Sequence, residues 1–174
     1  MTIRRAHSSD CRAIAELHAA SWRFAYRGAL SDDYLAGDIV SDRNRLWNAR
    51  LSEPSADQYV AVAERDGVLE GFACVFFRED KAWGSLLDNL HVRQDTHRRG
   101  LGSTLLRDVA AQCAVQARTA GLYLWVLQDN TRAQRFYAHH GARNIGADIW
   151  DAPGETRVPR FRFAWSAGCL PTRP

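Results

Sequence analysis

Apolar positions change period along this chain. After Ser9 and Asp10, which read as a helix cap, Ile14, Leu17, His18, Ser21 and Trp22 recur at helical spacing on one face. That helix should fail near Tyr26-Arg27-Gly28. Leu30-Ser31-Asp32-Asp33 opens a second helical piece, and a third runs from Ser41 to about Leu51. Beyond the turn at Glu53-Pro54-Ser55 the period drops to that of a strand. Gln58 to Glu64 alternates, Arg65-Asp66-Gly67 is a hairpin signal, and Val68 to Phe77 is the returning strand. A turn at Arg78-Glu79-Asp80 leads to a further strand from Trp83 to Val92, so the centre reads as an antiparallel meander.

The second half alternates helix and strand. A Gly-rich turn, His97 to Gly102, precedes a helix from Leu101 to about Ala120 with Leu105, Leu106, Val109 and Cys113 on its core face, and Gly121 stops it. Leu122-Tyr123-Leu124-Trp125-Val126 is short and wholly apolar, as a buried parallel strand requires. Asn130 opens another helix through Ala133, Phe136 and Tyr137 to His140, with Gly141 as its cap. Two more strands fall around Arg143–Asp148 and Pro159–Trp165. The order predicts an α+β fold with one mixed sheet, as a single domain over residues 1–165 with a loose tail over 166–174.

Composition narrows the class. The chain has 174 residues, of which 46% are hydrophobic and 25% charged. That excludes a disordered chain, collagen and a disulfide scaffold. A chain this size buries roughly 70% of its unfolded surface and needs no metal or disulfide staple. Net charge is +3, and Lys81 is the only lysine, so arginine carries nearly all the positive charge. These arginines are scattered and mostly offset by Asp and Glu, which argues against nucleic acid as a partner. Cys11, Cys74, Cys113 and Cys169 lie far apart with no CxxC pair, so no metal site is expected and a reducing compartment is. No stretch reads as a signal peptide or a membrane span, which points to a cytoplasmic protein.

The strongest local signal is His97-Arg98-Arg99-Gly100-Leu101-Gly102-Ser103, between a strand and a helix. Glycines let a ligand approach the backbone, and unpaired N–H groups at a helix start favour phosphate. It is neither a P-loop, since G-K-S/T is missing, nor G-x-G-x-x-G, since position 105 is Leu. The second signal is Asn130, Ala133, Phe136, Tyr137 and Gly141. Ala133 and Tyr137 share a helix face. Core packing accounts for Phe136 more simply than for Tyr137, whose buried phenol wants a partner.

Together these signals resemble the GNAT superfamily of N-acetyltransferases, over roughly Val60 to Ala142. Its loop pattern, Gln/Arg-x-x-Gly-x-Gly/Ala, reads here as His97 to Gly102, with His97 departing from the first position. The N-x-x-A-x-x-F/L-Y-x-x-x-G pattern is complete. The resemblance implies a three-layer α/β/α fold whose mostly antiparallel sheet has a splayed central parallel pair. It implies an acetyl-CoA-dependent N-acetyltransferase acting directly on a primary amine of a small molecule or protein N-terminus. The alternative is an acyl-CoA-binding sensor of the same fold.

By the same resemblance, backbone groups of Leu90, His91 and Val92 would bond the pantetheine arm. The N–H groups from Arg98 to Ser103 would hold the pyrophosphate, with His97, Arg98, Arg99, Gly100, Leu101, Gly102 and Ser103 forming the cradle. Asn130 would contact the pantetheine, beside Ala133 and Phe136, and Tyr137 would protonate the departing thiolate. The attacking amine must lose a proton. Asp88 ranks first as base and His91 second, while an arginine partner would account for Asp88 as readily. Strict alternation would put Asp88 and Leu90 on one face, Asn89 and His91 on the other. Asn89 would orient water. The acceptor side would draw on Trp22, Phe24, Tyr26 and Trp83, although packing alone explains Trp22. A homodimer through Trp150, Phe161, Phe163 and Trp165 is open, as is a core role for them. His139-His140 reads as a solvated helix end.

Overall fold

The computed structural model describes residues 1–37, 39–96, 100–117, 121–153 and 156–171. The alternating centre of the chain pairs with itself. Strands β2 (Gln58–Arg65), β3 (Val68–Asp80) and β4 (Gly84–Val92) form the expected antiparallel meander. Asp66 and Gly67 turn the first hairpin with φ of 52° and 78°, the positive values that Asp-Gly tolerates. The second turn comes later than the pattern suggested. β3 runs through Arg78-Glu79-Asp80, and the Asp80 carboxylate then makes the reversal by accepting from the N–H of Ala82 (2.7 Å) and Trp83 (3.0 Å).

A strand too short to show a period, β1 (Thr2–Arg5), adds to β2. Arg4 holds it, bridging Asp10 and Glu64 at 2.7 Å each. Asp10 holds the N-cap position of the first helix, as expected, and its side chain accepts from the His7 N–H (2.8 Å) across the short turn before it. Beyond β4 lie β5 (Leu122–Leu127), parallel to it, then β7 (Thr156–Trp165) and the edge strand β6 (Arg143–Ala152). The β6–β7 hairpin is longer than expected because opposed charges, Asp148 with Arg160 and Asp151 with Arg157, continue it where apolar alternation fails.

Helices cover both faces. On one, α4 (Leu101–Gln116) lays Leu105, Leu106 and Val109 on Ala61, Ala73 and Val75, and α5 (Thr131–His139) adds Tyr137. α4 ends at Gln116, with the Ala117 N–H closing on the Cys113 carbonyl (2.8 Å), and the expected end at Ala120 lies outside the described residues. On the other face, α1 (Cys11–Ala25) and α3 (Ile39–Ser52) pack Ile14, Leu17 and Trp47 on Val62, Phe72 and Cys74. The short α2 (Asp32–Ala36), capped by the Ser31 hydroxyl, joins Trp22 and Leu127 in a third cluster. This is the three-layer α/β/α arrangement with a mixed seven-stranded sheet. Phe163 and Trp165 belong to its core and Trp150 packs on Trp22 and Tyr26. Among the described residues no helix is long and apolar enough to cross a membrane.

Gly121 marks where β5 enters the sheet. Its carbonyl accepts from Ser85, and a Cβ there would strike the Trp165 carbonyl oxygen and lie 3.1 Å from that of Trp83. Gly146, by contrast, has open space around it. Gly121→Ala is therefore expected to cost about 2–3 kcal/mol, roughly 5–10 °C in Tm for a chain of this length. Gly146→Ala should leave Tm nearly unchanged in the same calorimetric scan.

Candidate active site

The site begins where β4 and β5 part. They pair only at Ser85–Leu122 and Leu86–Tyr123. β4 opposes β3 at Leu87–Val75 and then at Asn89–Cys74, so Asp88 is an inserted residue, a bulge. Bulges bend and twist a strand, and here the bend follows the last rung shared with β5. The bulge also breaks the alternation expected of this segment. Asn89 and His91 face α1 and α3, and Leu90 the other way, as the period requires. Asp88 does not join Leu90: its Oδ2 accepts from Arg50 Nη1 of α3 (2.7 Å) and from Asn89 Nδ2. The arginine partner is thus present, and the carboxylate still lines the cleft.

On the α4–α5 side the fork opens into a cleft of about 450 Å³ between Leu90 and Val92 of β4, the first turn of α4, and Ala133, Phe136 and Tyr137 of α5. Gly100 caps α4 at φ 76°, a conformation that only glycine adopts without strain. The first N–H groups of any helix lack internal partners, and those of Leu101, Gly102 and Ser103 are in this wall. Leu101 itself is also core. The Ser103 hydroxyl is already engaged. His140 Nδ1 lies 2.9 Å from the Phe136 carbonyl and must carry the proton there, so Nε2 accepts from Ser103 Oγ at 2.9 Å. His140 is therefore a tie between α4 and α5 rather than a solvated helix end. His97, Arg98 and Arg99 lie outside the described residues.

Asn130 caps α5, its Oδ1 accepting from the Ala133 N–H (3.1 Å), which leaves the amide NH₂ for the cleft it lines. Gln134 Nε2 donates to the carbonyls of Leu127 (3.0 Å) and Gln128 (2.7 Å), fixing α5 to the end of β5. Tyr137 lines both this cleft and the central gap. Burial, reinforced by the nearby Tyr26 phenol, pushes its hydroxyl well above the usual range, so it stays protonated at neutral pH.

On the other side the gap of about 380 Å³ runs into a pocket of about 740 Å³ under α1 and α3. Tyr26 stands in both, pushed up to about 12 by burial and by Asp88. Trp22 and Trp150 meet it at 5.0 and 6.4 Å between ring centres. Phe24, 58% exposed, reaches only the rim of the gap. Trp83 does not reach the site. It sits at the paired end of β4 with Arg162 over its ring (5.7 Å), because the fork opens only after Leu86. Asn89 is buried against Asp88. His91 stacks on His18 (4.7 Å) and Phe72 (5.2 Å), and burial, then Arg43, lowers it to about 4. It is a neutral imidazole at pH 7 and a weak base. Sequence reasoning missed Arg43, Arg50, Trp125 and Arg160, whose positions on α3, β5 and β7 look like ordinary helix and strand faces.

The class of protein that carries this two-sided cleft across a forked sheet comes from comparison with known proteins. Residues 11–142 match the acetyltransferase (GNAT) family. The uncharacterized N-acetyltransferase YuaI of Bacillus subtilis is 25% identical over 95% of this chain and 92% of its own. An uncharacterized N-acetyltransferase of Mycobacterium tuberculosis is 29% identical over 79% of this chain and 86% of its own. The PaiA N-acetyltransferase of Thermoplasma acidophilum, solved in complex with coenzyme A, superposes with a TM-score of 0.71 at 19% identity, covering 91% of this chain and 96% of that one. YncA of Salmonella typhimurium, solved with its cofactor acetyl-CoA, gives a TM-score of 0.70 at 18% identity, covering 96% of this chain and 94% of that one. The chain belongs to the acetyltransferase (GNAT) family and is an acetyltransferase.

The stacked histidines make stability pH-dependent. Burial depresses both His91 and, further, His18. Below pH 6.5 the unfolded chain takes up protons that these folded imidazoles refuse. Stability should therefore be complete above about pH 6.5 and fall toward pH 4, by up to about 1.4 kcal/mol per pH unit for each histidine. Urea unfolding at pH 7 and pH 5 measures this, and His91→Phe should reduce the difference; an unchanged difference would remove His91 as its source.

Proposed function

We propose that this protein moves an acetyl group from acetyl-CoA directly to a primary amine, with both substrates bound at once. One observation carries the reading: the fork between β4 and β5 joins the α4–α5 cleft to the aromatic pocket through a single gap. Donor and acceptor can then enter from opposite faces and meet.

The residues present fit acetyl-CoA. Among the described residues the β4–β5 ladder ends at Leu86, and beyond it Leu90, His91 and Val92 would lie along a pantetheine arm. The Gly100–Ser103 turn suits the pyrophosphate by its free N–H groups, and the Asn130 amide the arm. When bound, acetyl-CoA supplies an activated thioester. Tyr137 keeps its proton and donates toward the departing sulfur. Asp88, held in place by Arg50 and Asn89, accepts the amine proton directly or through a water. His91, lowered by its burial, shapes the wall rather than serving as base. Cys11, Cys74 and Cys113 are buried in packed clusters and Cys169 is exposed, and none of the four lines the gap. That favours direct transfer over an acyl-cysteine. The acceptor is a small-molecule or peptide amine.

Calorimetry should find saturable acetyl-CoA binding, weaker for dephospho-CoA. Thiol release across an amine panel should follow. Tyr137→Phe should keep cofactor affinity within about twofold while lowering kcat by about 10²-fold, the scale of a lost general acid. Asp88→Asn should lower kcat similarly, and the loss should ease at high pH where the amine is already neutral. Absence of acetyl-CoA binding at millimolar concentration would end this reading.

A further inference from the structure

Among the described residues, four buried side-chain polar atoms have no hydrogen-bond partner: His18 Nε2 and the Nε atoms of Arg43, Arg160 and Arg162. All four are donors. His18 Nδ1 accepts from Trp47 Nε1 (3.0 Å), so the imidazole carries its proton on Nε2. His18, Arg43 and Arg160 all line one pocket, the aromatic one beyond the fork. Buried donors normally find acceptors, and His18, Arg43 and Arg160 bring three unmatched ones to the wall of one pocket, where the described residues supply them no acceptor.

The guanidinium groups are mounted to answer it. Arg43 lies over Trp22 at 4.3 Å and Arg160 over Trp125 at 4.1 Å. A guanidinium lying over an aromatic face keeps its N–H groups at its own edge, where they can fork a carboxylate. Each is anchored by only one carboxylate, Arg43 by Asp42 and Arg160 by Asp148 (2.7 Å), which leaves most of its five donors over. Arg50 lines the same pocket and pairs with Asp88. Asp88 and Asp151 stand in the same wall, which disfavours a dianion such as phosphate.

We infer that the acceptor is an amino-acid-type molecule: its carboxylate binds at His18, Arg43 and Arg160, its apolar body lies among Trp22, Tyr26, Trp125 and Trp150, and its amine reaches the gap beside Asp88. The inference rests on the transferase reading above for the amine's role, while the carboxylate site stands on the pocket alone. Burial keeps His18 a neutral donor across the physiological range, so the site holds its donors without demanding a proton.

The test uses matched probes: L-phenylalanine, L-phenylalaninamide and phenethylamine, which share a ring and amine but differ in the carboxylate. Turnover is read by thiol release with saturating acetyl-CoA, and binding by calorimetry on the full chain without it. L-phenylalanine should bind and react with KM about tenfold or more below the other two, a difference of 1.4 kcal/mol. Arg160→Gln should erase that preference with KM for acetyl-CoA unchanged. Arg157→Gln, on the exposed side of the hairpin, should not. Equal or better use of the amide overturns the carboxylate site and leaves the transferase intact. Carboxylate-dependent binding, lost in Arg160→Gln but with no turnover of any amine, supports the site and removes the transferase reading. Failure of all three probes to bind or react overturns the inference.

Discussion

The β4–β5 ladder closes at Ser85–Leu122 and Leu86–Tyr123, and the insertion of Asp88 opposite the Cys74–Val75 step turns β4 aside before the next rung forms. Every feature of the site follows from that departure. Two neighbouring strands in a sheet ordinarily satisfy each other's backbone groups. Here, among the described residues, the ladder stops after two rungs, and the gap is wide enough to join clefts on opposite faces of the sheet. A bulge is also the device that moves Asp88 to the side of α3, where Arg50 can hold it.

The rest of the structure keeps that fork from closing or wandering. On one face α5 is tied to the end of β5 by Gln134 and capped by Asn130, and His140 links it to the first turn of α4 through Ser103. On the paired end, Gly121 allows β5 to pass close to Trp83 and Trp165, which no side chain would permit. On the other face the Trp47–His18–His91–Phe72 stack braces α1 and α3 against β4. These histidines are buried without charge, and their imidazoles act as flat, weakly polar packing units with one fixed donor. Arginines do the complementary task, spreading charge over aromatic faces so that a polar pocket coexists with a packed layer.

The two motifs proposed for the cofactor side were legible in the chain because they are local. A glycine at a helix entry, an Asn cap, and Ala133 with Tyr137 one turn apart depend on spacing within a single element. The meander, the apolar β5 and the helix faces were legible for the same reason. Errors fell where a side chain overrode the pattern. Asp80 delayed a turn, charge pairs lengthened the β6–β7 hairpin, and Asp88 slipped the register of a strand whose alternation looked intact. Trp83 was assigned to the site by its place at the start of β4, but the fork opens three residues further on.

What the sequence determined by itself was therefore most of the elements, an α+β fold around one mixed sheet, and the local signals at the α4 entry and along α5, since periodicity and capping act over a few residues. What only the tertiary structure decided was the other half. Arg43 and Arg50 come from α3, Trp125 from β5, Trp150 from β6 and Arg160 from β7, and each looks unremarkable where it stands in the chain. They meet because a sheet with helices on both faces brings distant segments within contact distance, and no spacing rule along the chain encodes that convergence.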